Sequence, residues 1–141
     1  MNEATVKKTL LAGAEILAPI LEPYAFVFTV KTHGQGSGGC FASGAFFRAD
    51  RRLELHFRYS LGLVTYHVDQ ESLDHETYMR LLGVHGMNQY PDFPSEPLES
   101  FRHLAMDLRN YCQDFVSGDG KHFHSLVETL AKNPRMFRGI P

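Results

Sequence analysis

The chain of 141 residues carries 14 basic and 16 acidic side chains, a formal net charge of −2, and 43% of its residues are hydrophobic. With 12% aromatic residues it is too apolar for a disordered chain, and without a basic excess it does not suit general nucleic-acid binding. Two cysteines cannot build a disulfide scaffold, and no apolar run reaches the roughly 20 residues that span a bilayer. The composition predicts one soluble domain over residues 1–141.

The first segment of the chain has apolar residues at helical spacing, which predicts an N-terminal helix. These residues are Val6, Leu10, Ala14, Leu17 and Leu21. Pro19 and Pro23 are expected to end the helix. Glu15 interrupts the short apolar run, so we expect no signal peptide and a cytoplasmic location. In that compartment Cys40 and Cys112 are expected to be reduced thiols.

The next segment is rich in aromatic and β-branched residues and predicts four strands, at about 24–32, 41–49, 53–59 and 63–68. The third is the clearest, because Leu53, Leu55 and Phe57 alternate with polar residues. Short connections between the strands favour an antiparallel meander whose strand order follows the chain.

After residue 70 the apolar pattern becomes helical. Ser72 is expected to cap a helix that ends near Leu82, and residues 83–94 form a loop. Ser95 is expected to begin a long helix with an apolar stripe that extends to Val116, and Asp119 to begin the last helix. The fold class is therefore α+β: an N-terminal helix, a four-stranded antiparallel meander, and three helices packed on the sheet.

A glycine-rich segment, Gly34-Gln35-Gly36-Ser37-Gly38-Gly39, matches the G-x-G-x-x-G pattern. In dinucleotide-binding folds this pattern joins a strand to a helix, whereas a strand follows it here. The sequence favours a hairpin loop in which glycines supply positive φ angles. A phosphate-binding nest of backbone N–H groups is the alternative.

None of the eight histidines or two cysteines stands in a strong catalytic or metal-binding motif. His122 and His124 point apart on a helix, and Cys112 lies on an apolar stripe, where a small buried side chain is expected. We therefore expect no catalytic residue, no metal and no cofactor.

Two charged segments have ordinary structural explanations. The acidic residues Asp69, Glu71, Asp74 and Glu76 suit the start of a helix better than a metal site. The basic residues Lys132, Arg135 and Arg138 form a C-terminal tail that is solvated or, alternatively, contacts an anion.

The most informative inference concerns the polar face of the sheet, which we call the outer face. If the last hairpin turns around Leu61 and Gly62, Phe57 faces Tyr66 on the apolar side. His56 then faces His67 on the outer face, and Arg58 faces Thr65. Two facing imidazoles would titrate together and respond to acidification.

Either Phe46 or Phe47 must also lie on the outer face, because neighbouring strand residues point to opposite sides. A loop at 50–52 sets Arg48 opposite Glu54 and places Phe46 there. An aromatic residue together with His56, His67 and Arg58 is typical of a surface that recognises an anion or a protein. Whether this face is exposed or covered by a helix stays open from the sequence.

Two stretches resemble known sequences. They are residues 44–66, GAFFRADRRLELHFRYSLGLVTY, and Tyr90-Pro91 followed by FRHLAMDL at 101–108. Both resemble small uncharacterised bacterial proteins, and some bacterial toxin immunity proteins are similar in size and order of elements. The resemblance implies an α+β fold and no particular activity or site residue.

Two functions are compatible with these features. The first is a binding protein, immunity-like, that meets a protein partner or a second copy through the outer face, with Phe46, His56, Arg58 and His67, or through an edge strand. The alternative is a binding protein or enzyme for a small anionic ligand, with His56, His67 and Arg58 around the ligand and the loop at Gly34 and Gly36 as a lid. A homodimer without ligand is a third possibility. No nucleic acid or membrane partner is expected.

Overall fold

The computed structural model of the protein describes residues 2–133. The helices are α1 (Glu3–Leu21), α2 (His75–Leu81), α3 (Glu99–Tyr111), α4 (Gln113–Val116) and α5 (Lys121–Lys132). The strands are β1 (Val27–Gly36), β2 (Gly39–Arg48), β3 (Arg51–Phe57), β4 (Leu61–Val68) and β5 (Glu71–Asp74). A 3-10 turn over Glu22–Tyr24 joins α1 to β1. None of these helices is both long and apolar enough to cross a membrane.

The strands form one antiparallel sheet in the order β1-β2-β3-β4-β5, which confirms the predicted meander. The sheet has five strands rather than the expected four. Residues assigned to the start of a helix form β5, in which Leu73 lies opposite Tyr66 and is only 3% exposed. Burial of this one side chain favours a short strand, and Asp74 rather than Ser72 accepts from the backbone N–H of Thr77 to cap α2.

The helices pack on one face of the sheet and enclose a single apolar core. The predicted stripe of α3 and α4 is confirmed: Phe101, Leu104, Leu108 and Phe115 are at most 1% exposed. The rings of Phe57 and Phe101 stack with centroids 6.0 Å apart. A Cβ on Gly13 would lie 2.4 Å from the Phe101 ring, so the glycine allows α1 to approach α3 closely.

Several helix boundaries differ from the prediction. α1 continues through Pro19 to Leu21, and the predicted long helix is broken at Cys112, where ψ is 27°. α3 begins at Glu99 without a side-chain cap, so Ser95 belongs to the preceding loop. Asp119, expected to begin the last helix, accepts from the backbone N–H of Lys121 at 3.0 Å, and Asp114 of α4 accepts from the N–H of Phe123 at 2.9 Å, so two carboxylates contact the first turn of α5.

The turn between β2 and β3 is anchored to the helices by a buried arginine. Arg51 is 4% exposed and donates to the carbonyl oxygens of Asp114 at 2.9 Å and Gly118 at 2.8 Å. Arg48 adds a hydrogen bond to the Val116 carbonyl at 3.2 Å. These carbonyls lie at and just beyond the C-terminal end of α4, where intrahelical donors run out and a cation is favoured.

Candidate functional site

The register between β2 and β3 decides which phenylalanine lies on the outer face. The turn consists of Ala49 and Asp50, so Phe46 lies opposite Leu53 in the core and Phe47 lies opposite Arg52 on the outer face. Phe46 is 1% exposed, and its predicted place on the outer face is wrong. The predicted loop at 50–52 pairs Arg48 with Glu54, whereas the actual turn pairs Arg48 with Arg51, a shift of three residues. A shift by an odd number of residues places each side chain of β2 on the opposite face of the sheet from the one predicted.

The register between β3 and β4 is also different from the prediction. His67 lies opposite Arg52, and Tyr66 lies opposite Leu53, so the expected facing of His56 and His67 is wrong. The turn comes earlier, because the N–H of Arg58 donates to the carbonyl of Ser60. The displacement is four residues, an even number, so both histidines keep the predicted face. They are separated by about 13 Å along the strands.

The outer face faces away from the helical layer. The buried side chains of the helices pack on the opposite face of the sheet, where they form the core. On the outer face, His56, Arg58 and His67 are only half-buried, and Val27 is 65% exposed. Within residues 2–133, therefore, the helices leave this face open.

One group of side chains on the outer face, the Phe41 cluster, consists of Phe41, His56 and Arg58 against the β1–β2 hairpin. The His56 ring stacks on Phe41 with centroids 5.9 Å apart, and the Arg58 guanidinium lies 5.6 Å from the Phe41 centroid. Arg58 also donates to the carbonyl of Gly39 at 2.8 Å. The phenylalanine ring thus packs beside both an imidazole and a cation.

The glycines of the hairpin adjoin the Phe41 cluster as strand residues. A Cβ on Gly34 would lie 3.5 Å from the Phe41 ring, and one on Gly36 would lie 3.9 Å from Arg58 Nη2. The turn is Ser37-Gly38, and Gly39 has a φ of 108°. The hairpin prediction is therefore confirmed, but Gly34 and Gly36 are paired with β2 and do not form a separate loop.

A second group, the His67 cluster, consists of Lys31, Phe47, Arg52, Glu54 and His67. His67 Nε2 donates to Glu54 Oε1 at 2.5 Å, and Arg52 Nη2 lies 3.3 Å from His67 Nδ1. The Lys31 ammonium lies 5.5 Å from the Phe47 ring centroid. An open depression of about 210 Å³ is lined by Phe47, Arg52 and His67, but not by His56 or Arg58.

The outer face presents more positive than negative groups, although the whole chain has a net charge of −2. Its cations are Lys31, Arg52 and Arg58. The carboxylate of Glu54 is engaged by His67, and that of Asp74 caps α2. Glu54 also lies 3.6 Å from Arg52 Nη2, so these two charges offset each other, and Lys31 and Arg58 are the cations of the face that form no ion pair among residues 2–133.

Sequence reasoning missed a buried polar network between the sheet and the helices. His75, 2% exposed, accepts from the Tyr66 hydroxyl at Nδ1 (2.7 Å) and donates from Nε2 to Asp107 (2.9 Å). Asp107, 0% exposed, also accepts from the backbone N–H groups of Gln89 at 2.7 Å and Tyr90 at 2.9 Å. Both ring nitrogens of His75 are occupied, so the network holds α2, α3 and the intervening loop together.

That network had one signal in the sequence, the position of Asp107 beside Leu108 and one turn after Leu104 on the apolar stripe of α3. A carboxylate in such a stripe is buried only with partners. Its partner His75 lies 32 residues away, and no sequence spacing connects the two.

The remaining candidate groups behave as structural side chains. Cys112 is 0% exposed, which confirms the expected buried side chain, and this burial raises the pKa of its thiol to about 12. Among residues 2–133 no three His, Cys, Asp or Glu side chains are arranged to hold a metal ion. Arg135 and Arg138 of the basic tail lie outside the described residues.

The predicted acidic run serves two different purposes. Asp74 caps α2 and Glu76 lies in its first turn, as expected for a helix start. Asp69 and Glu71 instead contact His124 of α5, with His124 Nε2 at 3.1 Å from Asp69. These two carboxylates connect the β4–β5 hairpin to the last helix.

Comparison with known proteins gives only distant similarity. No family model and no solved structure matches the chain. Adenylosuccinate synthetases from Aspergillus flavus and Aspergillus oryzae are each 24% identical over 132 residues, and the one from Aspergillus niger is 26% identical over the same length. These alignments cover 79% of this chain and 31% of each synthetase, so the chain spans about a third of the curated relatives that it matches.

Proposed function

We propose that this protein is a small binding protein that docks a partner protein on the outer face of its sheet. The observation that carries the proposal is an open face with two groups of aromatic and cationic side chains, the Phe41 cluster and the His67 cluster. An immunity-type inhibitor is one protein of this kind.

The partner surface that fits this face is acidic. Among the cations of the face, Arg52 is paired with Glu54 at 3.6 Å, whereas Lys31 and Arg58 form no ion pair among the described residues and are available to an acidic surface. Arginine and aromatic residues carry much of the energy at protein interfaces, which makes Arg58 and Phe41 the expected centre. Phe41 takes the role that the sequence assigned to Phe46.

A small anionic ligand or substrate held by His56, His67 and Arg58 has less support. The two histidines lie about 13 Å apart along the strands, and the depression beside His67 does not include His56. Gly34 and Gly36, the expected lid, are paired in β1. The synthetase similarity covers too little of those proteins for their activity to be carried over.

The proposal is tested by capture from cells of the native organism, with mass spectrometry of bound proteins and metabolites. The double variant Phe41→Ala, Arg58→Ala is compared with wild type and with Met106→Ala, an exposed position on α3. We expect one acidic protein to bind wild type and Met106→Ala directly, and its affinity to fall by more than about tenfold in the double variant. Equal binding by the folded double variant, or loss of a bound metabolite instead of a protein, would overturn the proposal.

A further inference from the structure

The sheet ends on one side in a long strand whose outer edge is unpaired in the part of the chain that the structure describes. This strand, β1, has 10 residues and is hydrogen-bonded to β2 as its neighbour in the sheet. Among residues 2–133, no backbone hydrogen bond joins β1 to a helix, a loop or another strand. In an antiparallel edge strand every second residue directs its N–H and C=O groups away from the sheet. Another extended chain can therefore pair with these groups of β1.

The opposite edge of the sheet is less suited to such pairing. It is formed by β5, which has only 4 residues. Glu71 at the start of β5 contacts His124 of α5, and Asp74 at its end accepts from the backbone N–H of Thr77 to cap α2. Because a short edge strand that adjoins helices offers few free backbone groups, β1 is the edge that can add a strand.

The first part of β1 has the composition and regularity that pairing requires. Residues Val27–Val30 are β-branched or aromatic, and they pair with β2 without a shift in register. The register shifts between Val30 and Thr32, where Lys31 is the additional residue. A bulge and a lysine at an edge both oppose the addition of a long strand, such as β1 of a second copy. The edge therefore fits a short extended segment opposite Val27–Val30.

The charges along this edge indicate that the segment carries an acidic residue. Lys31 has no carboxylate within ion-pair distance among the described residues. The carboxylate of Glu3 is held by His33 Nδ1 at 2.5 Å. Glu22 lies in the 3-10 turn before β1, at the end of Val27–Val30 that is remote from Lys31. An unpaired cation at one end of the free edge is complementary to an aspartate or glutamate of the segment.

The same edge is continuous with the outer face. The Lys31 ammonium lies 5.5 Å from the centroid of the Phe47 ring, and Val27, which is 65% exposed, lies opposite Phe47. We propose that the partner protein contributes a short extended segment that pairs with Val27–Val30 as an added strand and places a carboxylate against Lys31. This inference rests on the proposed function and specifies which part of the partner makes the contact.

The first test uses a library of random peptides of about ten residues, displayed on phage and selected on the immobilised full chain. We expect the selected peptides to share a short run of β-branched or aromatic residues with Asp or Glu at one end. Lys31→Glu should raise the dissociation constant of the tightest peptide by at least about tenfold. Lys132→Glu makes the same charge change at an exposed position on α5 and should leave the dissociation constant unchanged.

Two N-methylated forms of the tightest peptide test for pairing through the backbone. Alternate amides of an extended chain point to opposite edges, so each form carries methyl groups on one alternate set of amides. We expect one form to bind as tightly as the unmodified peptide and the other at least about tenfold more weakly. Hydrogen exchange measured by NMR should show that the bound peptide protects every second amide of Val27–Val30 and leaves the amides of β4 unchanged.

Four results would overturn the proposal: a library that yields no binding peptide, equal affinities of the two methylated forms, protection of amides outside β1, or dimerisation of the chain through β1 without peptide. The double variant Phe41→Ala, Arg58→Ala should bind the peptide as wild type does, because neither side chain adjoins Val27–Val30. Failure of the peptide test, with a captured protein that still requires Phe41 and Arg58, would refute this inference alone. Absence of any captured protein would refute the proposed function.

Discussion

His75 and His124 both bind carboxylates, but they lie in very different surroundings. His75 is 2% exposed and its partner Asp107 is 0% exposed, with two backbone N–H groups completing the carboxylate's contacts. The side chain of His124 is 34% exposed, and its partners Asp69 and Glu71 are 58% and 37% exposed. The same pair of chemical groups thus lies in the interior at His75 and at the surface at His124.

The difference shows that burial, more than the identity of the groups, sets what such a pair contributes. In the interior each lost partner leaves a polar group without water, so removal is costly. At the surface water replaces the partner and screens the charges, so the contribution is small. The outer-face side chains resemble the second case, which leaves them available for binding.

The largest expected effect comes from breaking the interior network. Asp107→Ala leaves His75 Nε2 and the N–H groups of Gln89 and Tyr90 without their acceptor, and should lower the free energy of unfolding by about 3–5 kcal/mol. Denaturant unfolding measures this change. Glu99→Ala, on the same helix and paired with exposed Arg102, should cost less than about 1 kcal/mol. Equal losses in the two variants would contradict the assigned role of the buried pair.

The surface pair should show a small contribution that depends on pH. The hydrogen bond to Glu71, with a further contribution from Asp69, raises the pKa of His124 above its ordinary value of 6.5. A raised folded-state pKa stabilises the fold fully below 6.5 and loses that effect as the pH rises through the folded value.

The difference in stability between wild type and His124→Gln should therefore be larger at about pH 5.5 than at about pH 9, and below about 1 kcal/mol throughout. Thermal unfolding at both pH values measures the difference. His122→Gln, an exposed position on the same helix, is the control for replacing a histidine without breaking the contacts to Asp69 and Glu71, and it should lower stability less than His124→Gln at about pH 5.5. A difference that grows with rising pH would have the wrong sign.

The smallest effect on stability is expected on the outer face. Arg58 donates one hydrogen bond to Gly39 and lies over Phe41 at a half-buried position, so Arg58→Ala should change the free energy of unfolding by less than about 1 kcal/mol. Denaturant unfolding again provides the measurement. A loss of unfolding free energy comparable to that of Asp107→Ala would mean that the Phe41 cluster stabilises the fold, which would contradict its proposed role as a binding surface.

Much of the fold follows from local patterns that the sequence displays directly. The alternation in β3 identifies the buried Leu53, Leu55 and Phe57, and the helical stripe identifies Phe101 and Leu108. Side-chain periodicity is a property of each element by itself, so these assignments hold without knowledge of neighbours. β5 was not predicted, because a strand of four residues with one buried side chain is too short to show an alternation of apolar and polar residues.

The candidate site depended on register, which the sequence determined only as far as the faces of β3 and β4. His56, Arg58 and His67 share the outer face because an even displacement preserves the side to which they point. Their mutual distances, and the choice between Phe46 and Phe47, were decided by tertiary contacts. Arg51 and Arg48 bind carbonyls at the end of α4, more than 60 residues away, and these bonds accompany the tight turn at Ala49 and Asp50. A turn whose position depends on a distant helix end cannot be located from its own residues, and one odd register step is enough to exchange a core side chain for one on the outer face.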